Sequence, residues 1–191
     1  MISMSFGFTE ETGELYDEIK RCLQADIMVF AAASNGAGEG SRAHPAKFSR
    51  VICVHSATSQ GKGSDDNPPT EGDQNWSVVG EHIRPTWHTH VPKDCIIDYK
   101  SGTSFATPVA VSIAAFMIAY IEKNWPNCSW VIEPRSPEGV MKIFKLMSTK
   151  IGGYDWVSPT KYMKVNKDKR FGDLQETLGC RTGDNQGDKK N

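Results

Sequence analysis

What this sequence has little of narrows it first. It has no charge excess: 22 Lys and Arg stand against 23 Asp and Glu, for a net charge of −1. The basic residues are scattered rather than striped, so nothing points to nucleic acid. The longest apolar run, Val109 to Ile121, is shorter than the about 20 residues a bilayer-spanning helix needs, and no membrane partner is expected. The first residues, Met1-Ile2-Ser3-Met4-Ser5-Phe6-Gly7, lack a basic stretch followed by an apolar one. No signal peptide is read there, and an intracellular, cytoplasmic location is expected. Five cysteines (Cys22, Cys53, Cys95, Cys128, Cys180) are odd in number and not closely paired, which reads as free thiols in a reducing compartment. Metal spacings are missing too. Asp65, Asp66, Glu71 and Asp73 lack the alternating ligands of a calcium loop. His82, His88, His90 and Cys95 match no zinc pattern, and no metal site is expected. The Gly-rich stretch 36–41 lacks the lysine of a phosphate-binding loop, and no Gly-x-Ser-x-Gly elbow occurs.

What is present alternates between strand-like and helix-like segments, the pattern of an α/β fold with a parallel sheet. Ile2 to Phe6 reads as a strand. A buried strand at the first residues is unusual for a complete domain, and further sequence is expected upstream. Thr9 is a candidate N-cap for an amphipathic helix over 10–24, with Leu15, Ile19 and Leu23 on one face. Asp26 to Ala33 and Val51 to His55 are continuous apolar runs, as fully buried parallel strands are. Residues 59–75 form a polar loop. Residues 76–84 and 96–99 read as extended segments around His88-Thr89-His90. Ser104 to Glu122 is apolar on nearly every face, which predicts a buried central helix. A further helix, 136–149, has Ser136 as cap and Pro137 at its first position, and Gly152-Gly153 ends the pattern. Residues 1–150 are read as one domain and 151–191 as a charged extension. That extension has a few apolar anchors (Trp156, Tyr162, Phe171, Leu174, Leu178). Its end, 181–191, is expected to be disordered. His44 and His55 read as structural.

The chemistry concentrates at Ser101-Gly102-Thr103-Ser104-Phe105-Ala106-Thr107-Pro108. Gly102 permits a tight turn. Ser104 then sits at a helix start, where unpaired backbone N–H groups and the helix dipole favour a negative oxygen. The plainer reading is a serine N-cap. The pattern is stricter than a cap requires, and it resembles the nucleophile motif of the subtilisin-like serine proteases, the subtilases. Other segments resemble that family in its order. Ile2 to Gly7 is similar to its substrate-binding strand. Ala31-Ala32-Ala33-Ser34-Asn35-Gly36 is similar to the segment that supplies its oxyanion asparagine. His44-Pro45-Ala46-Lys47-Phe48 is similar to the segment where the family has a cis proline.

The resemblance implies roles residue by residue. Ser104 matches the nucleophile and Asn35 the side-chain donor of the oxyanion hole. Ser5, Phe6 and Gly7 match the edge that pairs with an extended peptide, and Ala33 and Ser34 one wall of the primary pocket. It implies a partial subtilisin-like fold, a peptide or protein substrate, and calcium as a possible cofactor, although no convincing calcium site is read here. The sequence also departs from the family. The family's Asp and His precede the strand that begins this chain. Trp87-His88-Thr89-His90-Val91 lies between the asparagine and the serine, lacks the family's glycine, and is rejected as the base. The chain therefore reads as the C-terminal part of a serine endopeptidase domain, inactive without its N-terminal half. The alternative is a non-catalytic pseudo-protease that binds peptide. A serine esterase with another base ranks last, since the elbow motif is absent.

Overall fold

A computed structural model describes residues 1–36, 40–84 and 99–181. Along the chain the elements are β1 (Ile2–Met4), α1 (Gly13–Gln24), β2 (Val29–Ala32), β3 (Ile52–Ala57), β4 (Trp76–Val79) and α2 (Thr103–Asn124). They continue with β5 (Ser129–Trp130), α3 (Pro137–Met147), β6 (Ser148–Ile151), β7 (Tyr154–Val157), α4 (Pro159–Met163) and α5 (Lys167–Leu174). A short π turn leads to β8 (Cys180–Arg181). The main sheet has the order β1-β2-β3-β4-β7-β6. All its pairs are parallel except β6 with β7. The protein is thus α/β, with helices flanking a mostly parallel sheet.

The apolar runs form central strands because both of their faces are covered: every residue of β2 and β3 is buried. Phe30, Ile52, Val54, Trp76 and Val78 face α2 and α3, where they meet Ala106, Ala110, Met117 and Phe144. Val29, Ala31, Val51 and Cys53 point the other way, onto Ile19 and Leu23 of α1.

Several boundaries differ from the expectation. Thr9 is not the cap of α1. Thr12 is, accepting from Leu15 N–H at 3.4 Å. The reason lies in the chain before it: Phe8 exchanges two 2.9 Å backbone bonds with His44, which holds that stretch extended. α2 is present where expected but covered on one side. Its buried residues are Thr103, Ala106, Thr107, Ala110, Ala114, Met117, Ile118 and Ile121. Its other flank lines an open groove of about 420 Å³ with Pro108, Val109, Ser112, Ile113, Phe116 and Pro159. At 22 residues, α2 is also long and apolar enough to cross a membrane by length and composition. Its buried side lies against the sheet.

The segment after Gly152-Gly153 is bound into the same core. Both glycines have positive φ and turn β6 into β7, and β7 enters the main sheet beside β4. Val157, Tyr162, Leu174 and Leu178 are buried. Cys128 and Cys180 form a disulfide beside the β5–β8 pair, which corrects the expectation of free thiols. That expectation failed because the two cysteines are 52 residues apart and only the fold brings them together. It was also one support for a reducing compartment, and for this pair it no longer holds. Cys22 and Cys53 are free. Arg181 belongs to β8, so the expected disorder does not include it, and 182–191 lie outside the described residues, as do His88, His90 and Cys95.

Candidate active site

The N-terminus of α2 begins without a side-chain cap of its own. Gly102 occupies the N-cap at φ 135°, ψ 168°, a region almost closed to other residues. The missing cap oxygen comes from across the molecule. Asn35, just past β2, places its Oδ1 where Thr103 N–H donates at 2.9 Å and the Thr103 hydroxyl at 3.0 Å. That hydroxyl also lies 3.2 Å from the Ser34 carbonyl. With its carbonyl end held this way, Asn35 Nδ2 donates to no acceptor among the described residues. A Cβ on Gly102 would lie 3.1 Å from that nitrogen, so glycine keeps the approach open. Ser34 itself has φ 148°, a second strained position at the same corner. Gly80 supports the loop from beneath: its carbonyl accepts from Gly102 N–H at 2.9 Å.

Ser104 is the second residue of α2, not its cap. Its hydroxyl donates to the Ser5 carbonyl at 2.9 Å, and the Ser5 hydroxyl donates to the Ser104 carbonyl at 2.8 Å. The second bond depends on Pro108. In a regular helix the Ser104 carbonyl would accept from the N–H four residues on, and proline has none. Pro108 lies inside the helix rather than at its start, and it leaves that carbonyl free for Ser5. The Ser104 N–H takes no acceptor among the described residues, as expected for the first turn. Among the same residues, no histidine or carboxylate hydrogen-bonds Ser104.

The substrate-edge candidates lie beyond Ser5. Phe6 and Gly7 make no backbone hydrogen bond among the described residues, so that edge is open. Phe6 is half-exposed, its ring edge-on to Phe8 at 5.9 Å. Gly7 lies tight on Ala43: a Cβ there would come within 2.6 Å of the Ala43 Cβ. Ala43 N–H in turn donates to the Ala33 carbonyl at 2.7 Å, linking the segment at Gly7 to the end of β2. Ala33 is wholly buried and its own N–H donates to Val54, so its contribution is fixed backbone. The His44-Pro45 bond is cis. The cap by Asn35, the Ser5–Ser104 exchange and the Gly7–Ala43 contact were not anticipated. Only Pro108, four residues after Ser104, carried a readable hint.

Of the described histidines, His55 and His82 stand apart from Ser104. His55 is fully buried, with Nδ1 donating to the Trp76 carbonyl at 3.2 Å. Burial, and next the charge of Arg42, push it down to about 4. His82 lies beside the loop, its N–H bonded to the Ser101 hydroxyl. For calcium, the described residues do not fit. Among the described residues no group of three or more His, Cys, Asp or Glu could hold a metal ion. Asp65 pairs with Lys62, and Glu71 is engaged by Arg42.

The model of the subtilase family matches residues 1–150. The subtilisin-like protease het-Q2 of Podospora anserina is 31% identical over 128 residues, 63% of this chain and 34% of that protein. The minor extracellular protease Epr of Bacillus subtilis (strain 168) is 29% identical over 118 residues, 61% of this chain and 17% of that protein. The chain therefore spans about a third or less of these relatives. Two solved structures share the fold. The prenylagaramide maturation protease PagA has a TM-score of 0.62 at 24% identity, covering 93% of this chain and 61% of that one. The S218A mutant of the PatA protease domain has a TM-score of 0.65 at 21% identity, covering 92% and 59%.

Proposed function

The chain belongs to the subtilase family, and on that premise we propose that it supplies the nucleophile and oxyanion hole of a serine endopeptidase. Ser104 Oγ attacks the carbonyl of a peptide laid along Ser5–Gly7 by strand addition. The oxyanion is received by Asn35 Nδ2 and the Ser104 N–H at the positive end of α2. Ser34 and the backbone of Ala33 line one wall for the side chain that precedes the cleaved bond. The aspartate and histidine come from a polypeptide segment outside this chain, the N-terminal part of the catalytic domain. The observation that carries this reading is the pair of Asn35–Thr103 bonds. They fix Asn35 against the serine's own turn, which supports this role.

A fluorophosphonate probe tests it. The isolated chain should label slowly, because Ser104 donates its proton to a carbonyl and not to a base. Joined to a subtilase segment carrying the Asp and His motifs, it should label to stoichiometry, and Ser104→Ala should abolish this. Failure of the joined protein to label would overturn the proposal.

A second reading is favoured by the same Ser104–Ser5 bond: a non-catalytic module that keeps the peptide-binding edge. It predicts peptide binding that Ser104→Ala leaves unchanged, and no labelling in either form.

A further inference from the structure

The segment after β1 carries the first rung of the proposed peptide edge, and the acceptor of that rung is already taken. β1 pairs with β2 in parallel, Ile2 opposite Val29 and Met4 opposite Ala31. Ile2 N–H donates to the Met28 carbonyl at 2.8 Å, so the even-numbered residues turn their backbone groups toward β2. Phe8, also even, gives both its N–H and its carbonyl to His44. By the alternation of an extended chain, Ser5 and Gly7 present theirs to the open side. Gly7 makes no backbone hydrogen bond among the described residues. The Ser5 carbonyl does have a partner, the Ser104 hydroxyl, which donates to it at 2.9 Å. An incoming strand brings a backbone N–H to about this same distance from the same oxygen. The hydroxyl is held there from two sides. The Ser5 hydroxyl donates back to the Ser104 carbonyl at 2.8 Å, closing a ring between residues 99 apart in sequence. The turn beneath is fixed by Asn35 on Thr103 and by Gly102 on Gly80, so the Ser104 hydroxyl leaves only by rotation about χ1.

We propose that Ser5 is a positioning residue for the nucleophile. Its carbonyl holds the Ser104 hydroxyl while the edge is empty. The backbone N–H of an arriving peptide takes that acceptor over and turns the hydroxyl out toward the base. The N–H concerned belongs to the residue whose carbonyl Ser104 attacks, because that residue's nitrogen lies two bonds from the reacting carbon. A hydroxyl bonded to a neutral carbonyl gains no nucleophilicity from it, so the empty site stays at rest. Occupation of the edge and release of the nucleophile are then one event. The inference rests on the peptide edge of the proposed function, and its test needs neither the base nor turnover.

The test is calorimetric binding of acetyl-tetra-alanine amide to the full chain, beside analogues N-methylated at one alanine each. In the wild type the peptide must displace the hydroxyl. Ser104→Ala has none to displace and should bind the unmodified peptide about 5- to 10-fold more tightly, the scale of one neutral hydrogen bond. Ser104→Cys keeps the side-chain volume but donates weakly, and should show most of that gain. Ser5→Ala removes only the return bond and should gain about 2-fold. Methylating the one N–H that meets the Ser5 carbonyl should erase the advantage of Ser104→Ala over wild type, and methylation at the next alanine should not. Equal affinity of wild type and Ser104→Ala overturns the proposal and leaves the edge standing. A gain in Ser104→Ala that Ser104→Cys lacks also overturns it, since the variant would then have gained room and not an acceptor. So does a gain that survives methylation at every position. If no variant binds any of the peptides at millimolar concentration, the edge itself fails, and the substrate seat of the proposed function falls with the inference.

Discussion

The two faces of the sheet solve the same problem by different means. Toward α2 and α3, alternate strand residues enter a continuous apolar cluster, with Phe144 against Phe30 at 6.4 Å and Trp76 at 5.9 Å. Toward α1, the apolar cover extends only as far as Cys53 on β3. Beyond it the inward residues are His55 and Ser77, opposite each other in register and fully buried. Among the described residues no helix lies over them. The loop 58–75 does, with Tyr154 against the His55 ring at 5.1 Å and Gly61 tight on Trp156. One face is held by volume and the other by directed polar contacts. The two should therefore fail under different insults.

The largest effect should come from the apolar face. Phe144→Ala removes a fully buried ring from its centre and should cost about 3–5 kcal/mol, measured by urea unfolding. A cost below about 2 kcal/mol would mean that the groove flank of α2 lets the helix collapse into the space, and the contrast between the faces would weaken.

Acid should separate the faces next. On the loop face His55 is held down to about 4 by burial and by Arg42. Unfolding lets it take up a proton at its ordinary value, so this face should lose stability as pH falls from about 6.5 to about 4. Its share is about 3 kcal/mol at most. On the α2 face the buried carboxyl is Asp155. Burial pushes it up, but hydrogen bonds and charge from Lys145 and Lys150, at 2.8 and 3.2 Å, outweigh this and hold it below the ordinary range. Its contribution is present above pH 3.8 and is lost only as pH falls further. Urea midpoints across pH should thus fall in two stages. His55→Gln should flatten the upper stage and Asp155→Asn the lower. A single shared stage would break the comparison.

How much of this could be read in advance follows the same division. The apolar face was legible because burial on both sides leaves a local trace, as in the run Met28 to Ala33. Ser104 and Asn35 were legible as motif members, and Ser136 with Pro137 as a helix start. What stayed hidden is non-local. Asn35 caps a helix 68 residues away, and no pattern around either residue encodes that bond. The Cys128–Cys180 pair, the entry of β7 beside β4, and Arg42 reaching the loop at 71–75 are alike in this. For α2, periodicity gave the apolar surface correctly, but how much of it is covered depends on what packs there.

The smallest effect is the sharpest test of the difference between the faces. Ser77 is fully buried, and its hydroxyl has no partner among the described residues; nor has His55 Nε2 across the strand pair. With Nδ1 donating to Trp76, Nε2 carries a lone pair, so the two groups are complementary yet unjoined. A buried hydroxyl without a partner keeps its desolvation cost and gains nothing in return. Ser77→Ala removes that cost and opens little space, so stability should stay within about 0.5 kcal/mol of wild type or rise slightly. The same one-atom change in the apolar cluster, where each atom is in contact, carries a measurable loss. A loss above about 1 kcal/mol for Ser77→Ala would show that the hydroxyl is hydrogen-bonded in solution. His55 would then be held from two sides, and the loop face would be a closed polar network rather than a loosely covered one. The upper acid stage should shift in the same variant, since a donor to Nε2 is one more group that favours the neutral ring.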